Sequence, residues 1–149
     1  MQNIGFIGTG LMGFPMAKNI LKAGYKVRAF NRSKNKAEPL KDFGAEISNS
    51  IRELVKESHV VITMLTNDDA VNEVLGSDEF LNNLKPNSTV IDMSSVKQTT
   101  AVNHGKNLKS RKINYLDAPV SGGTIGAEEA SLATVSYTHL RAHETTLEL

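Results

Sequence analysis

The chain has 149 residues, enough for one domain with a proper core and too few for two of ordinary size. Seventeen basic residues against sixteen acidic ones leave a formal charge of +1, so no bulk attraction to nucleic acid is expected. Cysteine is absent, which excludes disulfides, thiolate metal sites and a cysteine nucleophile. With no basic leader and no apolar run longer than a strand, a cytoplasmic domain is expected, neither secreted nor membrane-spanning.

In chain order, Ile4, Phe6 and Ile7 predict a first strand over Asn3–Ile7. It runs into Gly8-x-Gly10-x-x-Gly13. Gly8 permits a tight turn, Gly10 has no Cβ to keep a pyrophosphate away, and Gly13 allows close helix packing. The free N–H groups at a helix start, with the helix dipole, favour negative charge. Gly8, Thr9, Gly10, Leu11, Met12 and Gly13 are therefore the expected phosphate loop. The helix that follows places Met12, Met16, Ile20 and Leu21 on one face, tolerates Pro15 near its start and ends at Gly24. Strands follow at Tyr25–Phe30 and, shorter, at Ala45–Ile47. Ser50-Ile51-Arg52-Glu53 reads as a capping box opening a helix. His59–Leu65 is apolar on both sides, as in a parallel sheet covered by helices on both faces. Asn67 is the predicted N-cap of a helix carrying Val71, Val74 and Leu75 and stopping at Gly76. Thr89–Asp92 and Asn114–Leu116 complete the strands. Repeated βα units with right-handed crossovers predict an α/β fold, a doubly wound, mostly parallel Rossmann-type sheet.

Dinucleotide sites for NAD carry an acidic residue about twenty positions after the glycines, on the adenosine ribose. Here the second strand ends in Phe30-Asn31-Arg32-Ser33, and the stretch 26–37 holds five basic residues and no acid. The Arg32 guanidinium can pair with a 2′-phosphate in fork geometry, Asn31 and Ser33 can hydrogen-bond it, and Lys36 can add charge. This predicts NADP(H) in preference to NAD(H).

A second signature, Asp117-Ala118-Pro119-Val120-Ser121-Gly122-Gly123, follows the last strand. A hydroxyl at Ser121 and unobstructed backbone N–H groups at Gly122 and Gly123 suit a carboxylate or carbonyl oxygen. Together with residues 5–17, Asn31-Arg32-Ser33 and Asp92-Met93-Ser94-Ser95, this makes the chain resemble the β-hydroxyacid dehydrogenases from residue 2 to about 133. The resemblance implies that Gly8 to Gly13 hold the pyrophosphate and that Asn31, Arg32 and Ser33 surround the 2′-phosphate. It also implies that Leu65, Thr66 and Asn67 lie along the cofactor and that Ser95 approaches the nicotinamide ribose. Ser121, Gly122 and Gly123 would bind a small carboxylate-bearing substrate. The implied activity is hydride transfer between NADP(H) and a small β-hydroxy acid or semialdehyde, in a homo-oligomer. No nucleic-acid, membrane or metal partner is expected. The alternative is a non-catalytic NADP(H)-binding scaffold or sensor. Lys97-Gln98 stand where the family commonly has a proline.

Other polar residues read as structural. His59 is expected to cap a strand and His104 to sit on a helix exterior. Asp68 and Asp69 complement a helix dipole, and His139 and His143 lack a third metal ligand. The resemblance divides the chain into a dinucleotide-binding domain, 1–133, and an atypical tail, 134–149. That tail lacks the family's glycines and resembles translated adapter sequence; alternatively, Leu132–Tyr137 forms a strand and Thr138–Leu147 a short amphipathic helix. The family's catalytic lysine belongs to a helical second domain, and no lysine here lies in its motif, so no catalytic residue is assigned.

Overall fold

The computed structural model describes residues 2–137 and 147–148. Six parallel strands form the central sheet: β1 (Asn3–Ile7), β2 (Lys26–Phe30), β3 (Glu46–Ile47), β4 (Val60–Thr63), β5 (Thr89–Asp92) and β6 (Asn114–Asp117). Their order is β3-β2-β1-β4-β5-β6, so the winding reverses beside β1. In open α/β sheets that reversal opens a crevice beyond the carboxyl ends of the strands.

Alternation along each strand feeds two cores. Ile4, Phe6 and Ile62 pack on one face with Met16 and Ala17 of α1 (Gly13–Lys22) and with Leu40 of the 3-10 turn after β2. Ile7, Val61 and Val90 pack on the other face. There they meet Leu54 and Val55 of α2 (Ile51–Lys56), Val71 and Leu75 of α3 (Asp68–Leu75), and Phe80 of α4 (Asp78–Leu81). Leu108 of α5 (Gln98–Ser110) completes this layer. Helices cover both faces, so strands such as β4 are largely apolar on both sides. Gly5 marks a close approach of the sheet to the layer containing α2, because a Cβ there would overlap the Leu54 side chain and the Ser58 hydroxyl.

The local stop and start signals behave as their chemistry dictates. Asn67 accepts the Ala70 N–H at 2.9 Å and Ser50 accepts the Glu53 N–H at 3.1 Å. The Glu53 carboxylate reaches back to the Asn49 N–H at 2.9 Å, one residue beyond the usual capping-box partner. His59 sits at the start of β4, where its Nδ1 accepts the Asn3 N–H.

The expectation for His104 is corrected. It is buried between α3 and α5, with Nε2 2.7 Å from Asn72 Oδ1. The buried stripe of α5 is Ala101, His104, Gly105 and Leu108, at helical spacing. Its two small residues let α5 approach closely and carry the imidazole inward.

After β6 the chain forms β7 (Val120–Ser121), α6 (Gly123–Glu128), β8 (Ala133–Ser136) and β9 (Leu147–Glu148), with β8 antiparallel to both short strands. Tyr137 pairs with Asp117 through two backbone hydrogen bonds, joining this segment to the end of β6. The expected strand over Leu132–Tyr137 therefore contains β8. The expected helix over Thr138–Leu147 lies outside the described residues except for Leu147, which is in a strand. His139 and His143 also lie outside them. No helix among the described residues is long and apolar enough to cross a membrane.

Candidate functional site

The glycine loop is built by three different constraints. Gly8 has φ +100°, and a Cβ there would overlap the Met64 carbonyl at the end of β4. At Gly13 a Cβ would overlap the Gly8 carbonyl oxygen, so the expected close helix packing is against the loop itself. Gly10 is the opposite case: a Cβ there meets nothing within 4 Å. The fold therefore requires Gly8 and Gly13, whereas at Gly10 it leaves an open cradle over the start of α1. Met12, at the N-cap of that helix, supplies no side-chain cap. The Phe14 N–H goes to the Gly10 carbonyl at 3.0 Å, the Met16 N–H goes to the Met12 carbonyl at 3.3 Å and Pro15 has none, which leaves the amides before Phe14 as candidate donors. A dinucleotide pyrophosphate fits this cradle.

The end of β2 is tied to the loop. Asn31 Oδ1 accepts the Thr9 N–H at 2.9 Å, and the buried Thr9 hydroxyl donates to the Lys36 carbonyl at 3.0 Å. Asn31 Nδ2 donates to the Ser33 carbonyl at 3.0 Å, so this side chain chiefly shapes the turn. Lys34 is 3.8 Å from Glu38, which also holds Lys41. Arg32 and Lys36 are exposed and make no ion pair among the described residues.

A cleft of about 400 Å³ opens at the carboxyl ends of β1, β2 and β4. It brings together Gly8, Gly10, Asn31, Arg32, Ser33, Lys36, Leu65 and Thr66 from the expected cofactor set. Its apolar wall is Ile7, Phe30, Ile51, Ala70 and Val74, a slot suited to a flat aromatic ring. Glu73 and Glu79 also line it. Sequence reading missed Ile51, Ala70, Glu73 and Glu79. For Ala70 and Glu73 the usable signal was the N-cap at Asn67, which starts α3 directly after the Leu65-Thr66 segment of the cleft; Ile51 and Glu79 come from α2 and α4 and had no such signal. A second cavity, about 450 Å³, includes Asn3, Lys26 and Val27 at the amino ends of β1 and β2, away from the crevice.

Asn67 and Ser95 are exposed beside the cleft, outside its walls. The loops that carry them are joined to each other. Ser94 Oγ accepts the Leu65 N–H at 2.8 Å, while Asp68 Oδ2 accepts the Lys97 N–H at 2.9 Å and the Thr100 hydroxyl at 2.7 Å. The Thr100 hydroxyl, then the Lys97 N–H, hold the Asp68 carboxyl below its usual range. Beneath Ser94 lies a buried polar row. Asp92 Oδ1 accepts the Thr63 hydroxyl at 2.9 Å and the Ser94 N–H at 3.1 Å, while Asp92 Oδ2 has no hydrogen-bond partner among the described residues. Burial, with a smaller push from Asp117 on the adjacent strand, raises the Asp92 carboxyl above its usual range. Burial likewise raises the Tyr115 hydroxyl.

Ser121, Gly122 and Gly123 are exposed at the turn into α6, apart from the cleft. Gly122 and Gly123 have φ of +137° and +61°, and the space over Gly123 is open. The turn is held by the Thr134 hydroxyl, which bonds the Ala118 and Pro119 carbonyls. Asn19 of α1 donates to the Ala127 carbonyl at 2.7 Å, docking α6 beside the phosphate-loop helix.

Residues 3–146 match the family model described as the NAD binding domain of 6-phosphogluconate dehydrogenase. An uncharacterised oxidoreductase of Bacillus subtilis is 41% identical over 133 residues, covering 89% of this chain and 46% of that protein. An NAD-dependent L-serine dehydrogenase of Pseudomonas aeruginosa is 38% identical over 133 residues, covering 89% and 45%. Among solved structures, a 3-hydroxyisobutyrate dehydrogenase of Mycobacterium tuberculosis with L-serine superposes at TM-score 0.87 and 36% identity, covering 91% of this chain and 46% of that one. The chain thus spans about half the length of the proteins it matches.

Proposed function

The chain belongs to the family of the NAD-binding domain of 6-phosphogluconate dehydrogenase, in its β-hydroxyacid dehydrogenase branch, and we propose that it is the NADP(H)-binding half of a reductase or dehydrogenase of small β-hydroxy acids or semialdehydes. The observation that carries this is the cleft itself. An open cradle at Gly10, an apolar slot and the Arg32 guanidinium, unpaired among the described residues, line one crevice at the strand ends. When bound, the nicotinamide supplies or accepts the hydride. The chain's residues do the rest. The first turn of α1 seats the pyrophosphate, Arg32, Ser33 and Lys36 hold the 2′-phosphate, and Ser95 orients the nicotinamide ribose. Ser121, Gly122 and Gly123 orient a substrate carboxylate. The parent enzyme is a homo-oligomer, and its protonating lysine belongs to the half of the relatives that these residues do not match.

NAD(H) is the competing cofactor, favoured by the name of the Pseudomonas relative and by Glu73 and Glu79 on the cleft wall. Fluorescence titration of the purified chain with NADPH and NADH decides. Tighter NADPH binding supports the proposal and equal affinity removes the preference. The same preparation should not oxidise NADPH with glyoxylate, succinic semialdehyde or tartronate semialdehyde, because general-acid catalysis is worth about 10²–10⁴-fold and its donor is absent from these residues. Turnover at ordinary rates would show that a residue of this chain replaces the lysine.

A further inference from the structure

We propose that Asp68 is a positioning residue that locks the loop carrying Ser95 onto the loop carrying Thr66 and Asn67, so that the nicotinamide half of the dinucleotide meets a preformed seat. This rests on the cofactor reading above.

The two loops are fastened at two points. Leu65 and Asp68 bracket Thr66 and Asn67 on one loop, and Ser94 and Lys97 bracket Ser95 and Val96 on the other. Leu65 bonds Ser94 on the inner side, and Asp68 bonds Lys97 on the outer side. The inner tie stands on the buried Asp92, which holds the Ser94 N–H and the Thr63 hydroxyl. The outer tie is charge-assisted, since one Asp68 oxygen takes both the Lys97 N–H and the Thr100 hydroxyl. Lys97 is the N-cap of α5 and brings no capping side chain of its own. Asp68, from the neighbouring helix, accepts the N–H of that N-cap residue and the hydroxyl of Thr100 in the first turn. One turn further along both helices, Asn72 and His104 repeat the contact at 2.7 Å. With the outer tie cut, the Ser95 loop keeps only the inner tie and the Asn72–His104 contact a turn into α5, while the glycine loop and the Arg32 turn have separate supports in Asn31 and Thr9.

A positioning role and a merely structural one predict different losses. Adenosine 2′,5′-bisphosphate carries the adenine, a 5′-phosphate and the 2′-phosphate and has no nicotinamide half. Calorimetric titration of the full chain with this compound and with NADPH is the test, alongside thermal melting. Asp68→Ala should weaken NADPH roughly tenfold and leave the bisphosphate within about twofold, as expected for loss of one charge-assisted tie. Thr100→Val, which leaves the Lys97 bond in place, should show a smaller loss with the same selectivity. Asp68→Asn, which keeps an acceptor oxygen, should recover most of the NADPH affinity. Equal losses for both ligands, or no loss for NADPH, overturn the positioning role. If the unsubstituted chain binds neither ligand, the cofactor reading fails and this inference with it.

Discussion

Thr9 and Asn31 are joined across 22 residues of sequence by a 2.9 Å hydrogen bond from the Thr9 N–H to the Asn31 side-chain oxygen. The contact fastens the turn after β2 to the glycine loop. It also means that both ends of the Asn31 side chain are engaged within the protein, at the Thr9 N–H and the Ser33 carbonyl. Arg32, the next residue, is left facing the cleft with no carboxylate paired to it among the described residues.

Arg32→Asp should therefore weaken NADPH binding by roughly thirtyfold, the equivalent of about 2 kcal/mol for an Arg–phosphate pair. NADH affinity should be unchanged or improved, because a carboxylate there can accept from the adenosine ribose hydroxyls. Parallel titrations with both nucleotides check this. A variant that loses both equally would place the 2′-phosphate elsewhere.

Gly10 and Gly13 should part company under substitution. Gly10→Val adds a side chain where nothing lies within 4 Å, so melting should barely move while nucleotide binding disappears. Gly13→Ala drives a methyl into the Gly8 carbonyl oxygen and should cost about 1–3 kcal/mol of stability, read as a lowered melting midpoint. Retained binding in Gly10→Val would mean that the phosphates do not cross this loop.

What was legible in the sequence was what neighbouring residues write into one another. The strand positions, the glycine loop and the caps at Ser50 and Asn67 depend on signals within a few positions, and they stand where those signals put them. The missed features all have partners far along the chain. Asp68 read as a dipole charge because Thr100 is 32 residues away, and His104 read as exposed because Asn72 is equally distant. Its buried stripe contains only one large apolar residue, Leu108, so helical periodicity gave little direction. The row Thr63, Asp92 and Asp117 exists only through strand register, which brings these residues level across β4, β5 and β6.

His104 gives the chain a pH-dependent weakness. Burial lowers its folded pKa below 6.5, so the neutral ring is what the α3–α5 interface accommodates. Its contribution to stability is complete above pH 6.5 and is lost as pH falls through the lower folded value. The melting midpoint of the unsubstituted chain should drop more steeply below pH 6.5 than that of His104→Gln, whose amide does not titrate. Parallel curves over that range would show that protonation at this site is not opposed by the fold.

Asp92 should behave with the opposite sign. Burial raises its folded pKa above 3.8, so its stabilising contribution is present below pH 3.8 and is lost as pH rises through the folded value. At neutral pH the fold carries the cost of a buried carboxylate beside Asp117, with one oxygen unpartnered among the described residues. An asparagine keeps an oxygen to accept from Thr63 and Ser94, removes the charge, and puts an equally unpartnered amide NH2 in place of the free acceptor, so the gain comes from the charge alone. Leaving a buried acceptor unsatisfied costs about 1–3 kcal/mol, and a buried charge costs more. Asp92→Asn should therefore melt close to the unsubstituted chain near pH 4 and progressively above it toward pH 7. Asp92→Ala should instead be destabilised at every pH, because it strands the Thr63 hydroxyl and the Ser94 N–H together. If Asp92→Asn melts below the unsubstituted chain at neutral pH, the ionised carboxylate is itself stabilising, and a bonded partner for Oδ2 must exist.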